Sequence, residues 1–244
     1  MTEPGYRPHD VVWTEAKIAQ FWDDYGSDEA HGSAYFSSYA GGAIVERVEQ
    51  IVPLRDRRVL DFGSGRGDLL GHLFARGISA GGLEFSEESA AITRRRFAGQ
   101  PLFGEVEVAA RLPSGLPERS VDVVFLVEVL EHLLDDQIGP VLDEVRRVLV
   151  AGGHVVATTP NDEDLAGEAV RCPDCGARFH RWQHLRSFSA ASMAELFAGH
   201  GFETHTAEGT NWTPPRLRRL RALLGRPQSR PHLLYVGVSR DGAR

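Results

Sequence analysis

Apolar and polar positions alternate with two different periods along the middle of the chain. Residues 57–63, RRVLDFG, form a short apolar run and predict a buried strand. Residues 68–77, DLLGHLFARG, carry apolar positions at helical spacing and end on Gly77, a C-terminal stop. A second strand is expected over 79–86 and a second helix over 86–99, with Ser86 as N-cap and Ser89 three residues on. A weaker strand lies near 105–109, and 120–130, SVDVVFLVEVL, predicts a strong buried one. Apolar residues at 138, 141, 142, 145, 148 and 149 mark an amphipathic helix over 137–153, followed by a strand over 153–160. A capped helix over 189–202 stops at Gly201, and closing strands are expected at 203–208 and 232–240.

This alternation builds βαβ units around a parallel sheet with right-handed crossovers. The fold class is therefore α/β, and ligands of such sheets bind beyond the carboxyl ends of the strands. Residues 1–50 read as a helical N-terminal cap. Trp13, Ile18, Phe21 and Trp22 form one apolar cluster there, and Tyr35, Phe36 and Tyr39 another. Residues 51–244 read as the main domain, with a loop insertion at about 161–188.

Composition narrows the class. The 244 residues are 42% hydrophobic and 25% charged, ordinary for a globular protein. No apolar run approaches the ~18 residues of a membrane span. The polar start, MTEPGYRPHD, lacks a signal-peptide core, so a cytoplasmic location is expected. The net charge of −7 argues against an extended nucleic-acid surface, which needs cations to displace counterions. One basic stretch stands apart: Arg216, Arg218, Arg219, Arg221, Arg226 and Arg230 face no acids. It reads either as a solvated helix with Leu217, Leu220, Leu223 and Leu224 turned inward or as a dock for an anionic substrate.

The turn between the first strand and helix carries candidate chemistry. In VLDFGSGRGDLL, Gly63, Gly65 and Gly67 sit where a nucleotide-binding turn lets backbone approach a ligand closely. Glu84 ends the next strand, where a carboxylate can accept from both hydroxyls of a ribose. The Gly-x-Gly-x-Gly spacing differs from that of dinucleotide dehydrogenases.

With these motifs the chain resembles the class I S-adenosylmethionine-dependent methyltransferases over about residues 34–202. VLDFGSGRG is similar to that family's first motif, GLEFS to its ribose-binding strand end, and RVLVAGGHVVATTPN to its helix–Gly-Gly–strand segment. The resemblance implies a Rossmann-like, seven-stranded, mostly parallel sheet with an antiparallel last hairpin and helices on both faces. It implies S-adenosylmethionine as cofactor, with Asp61, Gly63, Gly65 and Gly67 around its methionine part and Glu84 on its ribose. The acid that many relatives place on the adenine falls here at Val108, beside Glu107.

VEVLEHL (127–133) follows the strong strand, and Glu128, Glu131 and His132 at i, i+3 and i+4 share a face if they open a helix. A histidine flanked by carboxylates suits proton removal from a hydroxyl; the same groups suit a divalent metal that lowers the hydroxyl pKa. The motif resembles both the small-molecule and saccharide O-methyltransferases and the metal-dependent small-RNA 2′-O-methyltransferases, with His184 placed to complete the cluster. The expected reaction is O-methylation of a small-molecule or saccharide-like substrate, with His132 as base or metal ligand. RNA methylation and a non-catalytic, cofactor-binding regulator are the alternatives.

CPDCGARFHRWQH (172–184) holds the only two cysteines. Cys172, Cys175, His180 and His184 are a candidate Cys₂His₂ zinc set. A reduced pair in a packed loop and a redox pair are the other readings.

Overall fold

The computed structural model describes residues 5–27, 35–213 and 229–240. Its centre is a seven-stranded sheet. In chain order the strands are β2 (Val59–Phe62), β3 (Ala80–Glu84), β4 (Phe103–Val108), β5 (Val121–Val127), β6 (Leu149–Pro160), β9 (Phe202–Thr210) and β10 (His232–Ser239). They lie in the order β4-β3-β2-β5-β6-β10-β9, and β10 runs antiparallel to both its neighbours. The seven-stranded, mostly parallel sheet with an antiparallel last hairpin is thus as the sequence predicts.

Helices cover both faces. Along β5, Val123, Phe125 and Val127 enter one hydrophobic cluster while Val124 and Leu126 enter the other, which is why the strand reads as continuously apolar. The first cluster is closed by α2 (Phe36–Glu49), α3 (Asp68–Ala75) and Ala90 of α4 (Glu87–Arg96). The second is closed by α5 (Asp135–Val148) and α6 (Ala190–Gly199). Ile44, Val45 and Val48 of α2 are fully buried.

Local signals acted as expected at several ends. Gly77 has φ 74° and donates its N–H to Phe74 just past α3. Ser86 caps α4 by accepting the Ser89 N–H, and Ser189 caps α6 by accepting that of Ser192. One boundary differs. The helix expected to 153 stops at Val148, because Leu149 already pairs with Val121 and starts β6. The same apolar residues serve either element, and the neighbouring strand decides.

The insertion expected as loop contains a hairpin, β7 (Ala169–Arg171) and β8 (Ala177–His180). Two N-terminal residues, β1 (His9–Asp10), pair in parallel with β8 and complete a small three-stranded sheet. Helix α1 (Glu15–Ser27) then crosses the carboxyl ends of the large sheet. Among the described residues no helix is long and apolar enough to cross a membrane. Arg216, Arg218, Arg219, Arg221 and Arg226, with the leucines between them, lie outside the described residues.

Candidate functional site

A cleft of about 1460 Å³ opens at the carboxyl ends of β2, β3, β5 and β6. The glycine turn forms its floor on one side, and its three glycines do different work. Gly63 has φ 80°, and a Cβ there would lie 2.9 Å from Val129 on the neighbouring loop. Gly67 has φ 78° and would meet Phe97 and Thr93 at 2.8 Å, so it lets α3 start against α4. Gly65 has φ 51° and open space where its Cβ would be; it lines the cleft with Gly63, whereas Gly67 does not.

Glu84 ties this turn to the end of β3. Its Oε2 accepts the Gly65 N–H at 2.6 Å, and its Oε1 accepts those of Phe85 and Ser86 at 2.8 and 2.9 Å. Burial raises its pKa, and the three N–H donors oppose that shift. Asp61 lies deeper, 3% exposed, outside the cleft lining. Burial, reinforced by Glu84 and Asp68, lifts its carboxyl to about 8. Glu107, beside the Val108 position considered for the adenine, accepts the Gly115 N–H, and neither residue is in the lining; Ala110, Arg111 and Leu112 are.

Across the cleft, β5 ends in the segment holding Glu128, Glu131 and His132. They do not open an α-helix. Glu128 sits at φ 53°, and a single 3-10 turn (Leu130–His132) follows. Glu128 is held there by Thr158, whose hydroxyl donates to its Oε1 at 2.9 Å. The kink still brings the two glutamates together. Burial raises Glu128 to about 7, with the Glu163 charge adding to the shift, and raises Glu131 well above the usual range, with the Glu128 and Glu163 charges adding to it. Glu131 is fully buried, and neither of its carboxyl oxygens has a hydrogen-bond partner. His132 Nδ1 is likewise buried and unpartnered, and burial with His184 nearby depresses its pKa to about 3. His132 is thus a neutral imidazole and a weak base.

The insertion and α1 form the roof. The rings of His132 and His184 lie 4.9 Å apart, and Trp22 packs edge-on against His132 at 4.7 Å. Gln183, fully buried at φ 60°, accepts from Trp22 Nε1 and donates to the His132 carbonyl. Glu163, which sequence reasoning missed, accepts from His184 Nδ1 at 2.6 Å. Its only signal was its place just beyond the carboxyl end of β6.

Two sets of side chains each bring three metal-ligand atoms within 4.8 Å of one another: Glu131, His132 and His184, and Glu163, His180 and His184. Glu128 belongs to neither set, being bonded to Thr158 instead. Nor do the cysteines, so the candidate Cys₂His₂ set, one of three readings of this segment, is not brought together. Cys172 and Cys175 lie in the turn before β8, whereas His180 ends that strand, several residues away at ~3.3 Å each. The two thiols are free, with Cys175 exposed, and backbone N–H groups of Cys175 and Asp174 lower the Cys172 pKa.

The family described as a methyltransferase domain matches residues 36–207. A Mycolicibacterium smegmatis protein named "Probable S-adenosylmethionine-dependent methyltransferase" is 33% identical over 157 residues, 63% of this chain and 54% of that protein. A ubiquinone biosynthesis O-methyltransferase of Alkalilimnicola ehrlichii is 27% identical over 66% of this chain and 62% of its own. The chain thus spans little more than half the length of these relatives. In fold it is similar to the Burkholderia thailandensis 1,6-didemethyltoxoflavin-N1-methyltransferase, solved with 1,6-didemethyltoxoflavin and S-adenosylhomocysteine bound. The TM-score is 0.65 at 19% identity, over 96% of this chain and 94% of that one.

Proposed function

The chain belongs to the class I S-adenosylmethionine-dependent methyltransferases, and on that premise we propose that it methylates a hydroxyl oxygen of a small-molecule or saccharide-like substrate. The observation that carries this reading is the pairing of His184 with Glu163 on the wall opposite the glycine turn. S-adenosylmethionine would lie along Gly63, Gly65 and Glu84, with a ribose hydroxyl donating to the one lone pair of Glu84 Oε2 that the Gly65 N–H leaves free. Its methyl group would face the histidines. Tyr25, Tyr39 and Trp182 line the opening and offer faces for a flat ring or a sugar.

The step is an in-line displacement. The substrate oxygen would bond to the methyl carbon as the sulfonium carbon–sulfur bond breaks and S-adenosylhomocysteine leaves, and the hydroxyl proton would pass to His184. Orientation supplies much of the rate, and the base a further ~10²–10⁴-fold. His184 takes the role first expected of His132, whose burial makes it a poor proton acceptor. The relative named a ubiquinone biosynthesis O-methyltransferase agrees with an oxygen acceptor.

A metal-assisted form of the same reaction has its own support. Glu131 and His132 present three buried atoms without hydrogen-bond partners, an arrangement a cation would satisfy. Glu131, His132 and His184 would hold a divalent ion, which would lower the pKa of the substrate hydroxyl.

Incubation with methyl-labelled S-adenosylmethionine and a metabolite extract tests both. Labelled products gaining one CH₂ on oxygen are expected, and their loss on adding chelator, with recovery on adding metal, selects the metal form. Cofactor binding by calorimetry with no labelled product in any extract supports a non-catalytic regulator instead.

A further inference from the structure

Resting on that reading of the cleft, we propose that Glu163 and His180 are positioning residues that lock His184 in one tautomer, with the proton on Nδ1 and Nε2 left bare as the reacting nitrogen. Glu163 reaches the cleft because Asp162 turns the chain at φ 50° just beyond β6. An ionised carboxylate only accepts hydrogen bonds. The 2.6 Å contact from Glu163 Oε2 therefore requires the proton on His184 Nδ1.

His180 closes the clamp from the other side. Its Nδ1 accepts the backbone N–H groups of Trp182 and His184 at 3.3 and 3.2 Å, so that nitrogen carries no proton. The proton of the neutral ring is then on Nε2, which lies 3.4 Å from Glu163 Oε1 without a hydrogen bond to it. The His180 ring stacks on that of His184, centroids 4.4 Å apart and 19° from parallel. The Glu163 carboxylate thus bonds one of two stacked imidazoles, and the backbone fixes the other so that its ring supports the first. All three side chains are at least 87% buried, so little water competes for Nδ1.

The arrangement accounts for a sequence feature that the methyl-transfer chemistry leaves over. FHRWQH places His180 and His184 four apart, which the sequence suggests is a spacing for metal ligands. Here His180 presents its ring to His184 while Gln183, between them, bonds the roof helix to His132.

Nitrogen-15 NMR of the histidine-labelled full chain reads the tautomer directly. His184, assigned by comparison with His184→Gln, is expected to show a protonated Nδ1 and an unprotonated Nε2. In Glu163→Ala the two forms should mix. Methyl incorporation from labelled S-adenosylmethionine in extract should fall roughly 10–100-fold in that variant, the usual cost of losing a histidine's orienting partner. Glu163→Asp should recover part of the rate, and cofactor affinity should stay unchanged. A protonated Nε2 in the unmodified protein, or the same tautomer in Glu163→Ala, overturns the clamp whatever the activity. If the unmodified protein incorporates no label, the methyl-transfer reading falls while the NMR result still decides the clamp.

Discussion

Glu84 Oε2 accepts the backbone N–H of Gly65 at 2.6 Å, joining the end of β3 to the glycine turn across 19 residues of chain. The carboxylate is thus both a wall of the proposed ribose site and a brace for the turn beside it. Glu84→Ala removes both, and the affinity for S-adenosylmethionine should fall by ~1.5–3 kcal/mol, as for a lost charged hydrogen-bonding group. Calorimetry checks this; an unchanged affinity removes Glu84 from the ribose site.

Gly65 and Gly67 should separate binding from stability. Gly65→Ala introduces a methyl group into open space at φ 51°, at a backbone cost of ~1–2 kcal/mol. The folded chain should survive, with cofactor affinity reduced because the methyl group lines the cleft. Gly67→Ala drives a Cβ to 2.8 Å from Phe97 and Thr93, and Thr93 also donates to the Gly65 carbonyl. Its main effect should be a lower Tm. Equal losses of Tm and affinity in the two variants would contradict this division.

Asp61 should make stability fall as pH rises. The folded chain keeps its proton up to about pH 8, because burial disfavours the charge. The unfolded chain releases it near the ordinary value of 3.8. Between these values the native state binds more protons, so stability declines with pH by up to ~1.4 kcal/mol per unit from this group. Asp61→Asn has no such proton. The stability of the variant relative to the unmodified protein should therefore rise from pH 5 to pH 8 in denaturant titrations without cofactor. A constant difference would mean that Asp61 is already ionised in the fold.

What could be read in the sequence was mostly local. The glycine turn, Glu84 and the Ser86 cap are bonded to residues near them in sequence or on the adjacent strand, so motif and spacing locate them. β5 announced itself because it is buried on both faces. Glu163 lies in NDED, a run with no apolar pattern, and its meaning depends on His184, 21 residues on. Glu128, Glu131 and His132 were placed on a helix face; a φ of 53° and a 3-10 turn gather the glutamates by a different route. β1 is two residues long, and only its pairing with β8 makes it a strand.

The cysteine turn gives the remaining prediction. Counting along CPDCGARFHRWQH suggests four zinc ligands, but the fold uses the segment for two separate purposes. The cysteine turn braces the N-terminal strand, since Arg7 donates to the Cys175 carbonyl and His9 to that of Gly176. From there β8 runs extended and delivers His180 to Glu163 and His184. A Cys₂His₂ shell would have to break the 2.6 Å bond between Glu163 and His184 and unstack the two imidazoles. Zinc held in that way would stabilise the loop only by dismantling its histidine–glutamate contacts. Any divalent metal copurifying with the chain should therefore persist in Cys172→Ser and Cys175→Ser and be lost in His184→Ala, measured by elemental analysis of protein never exposed to chelator. Near-stoichiometric zinc that disappears on Cys172→Ser would instead mean that the thiols are ligands and that the histidines leave Glu163 to join them.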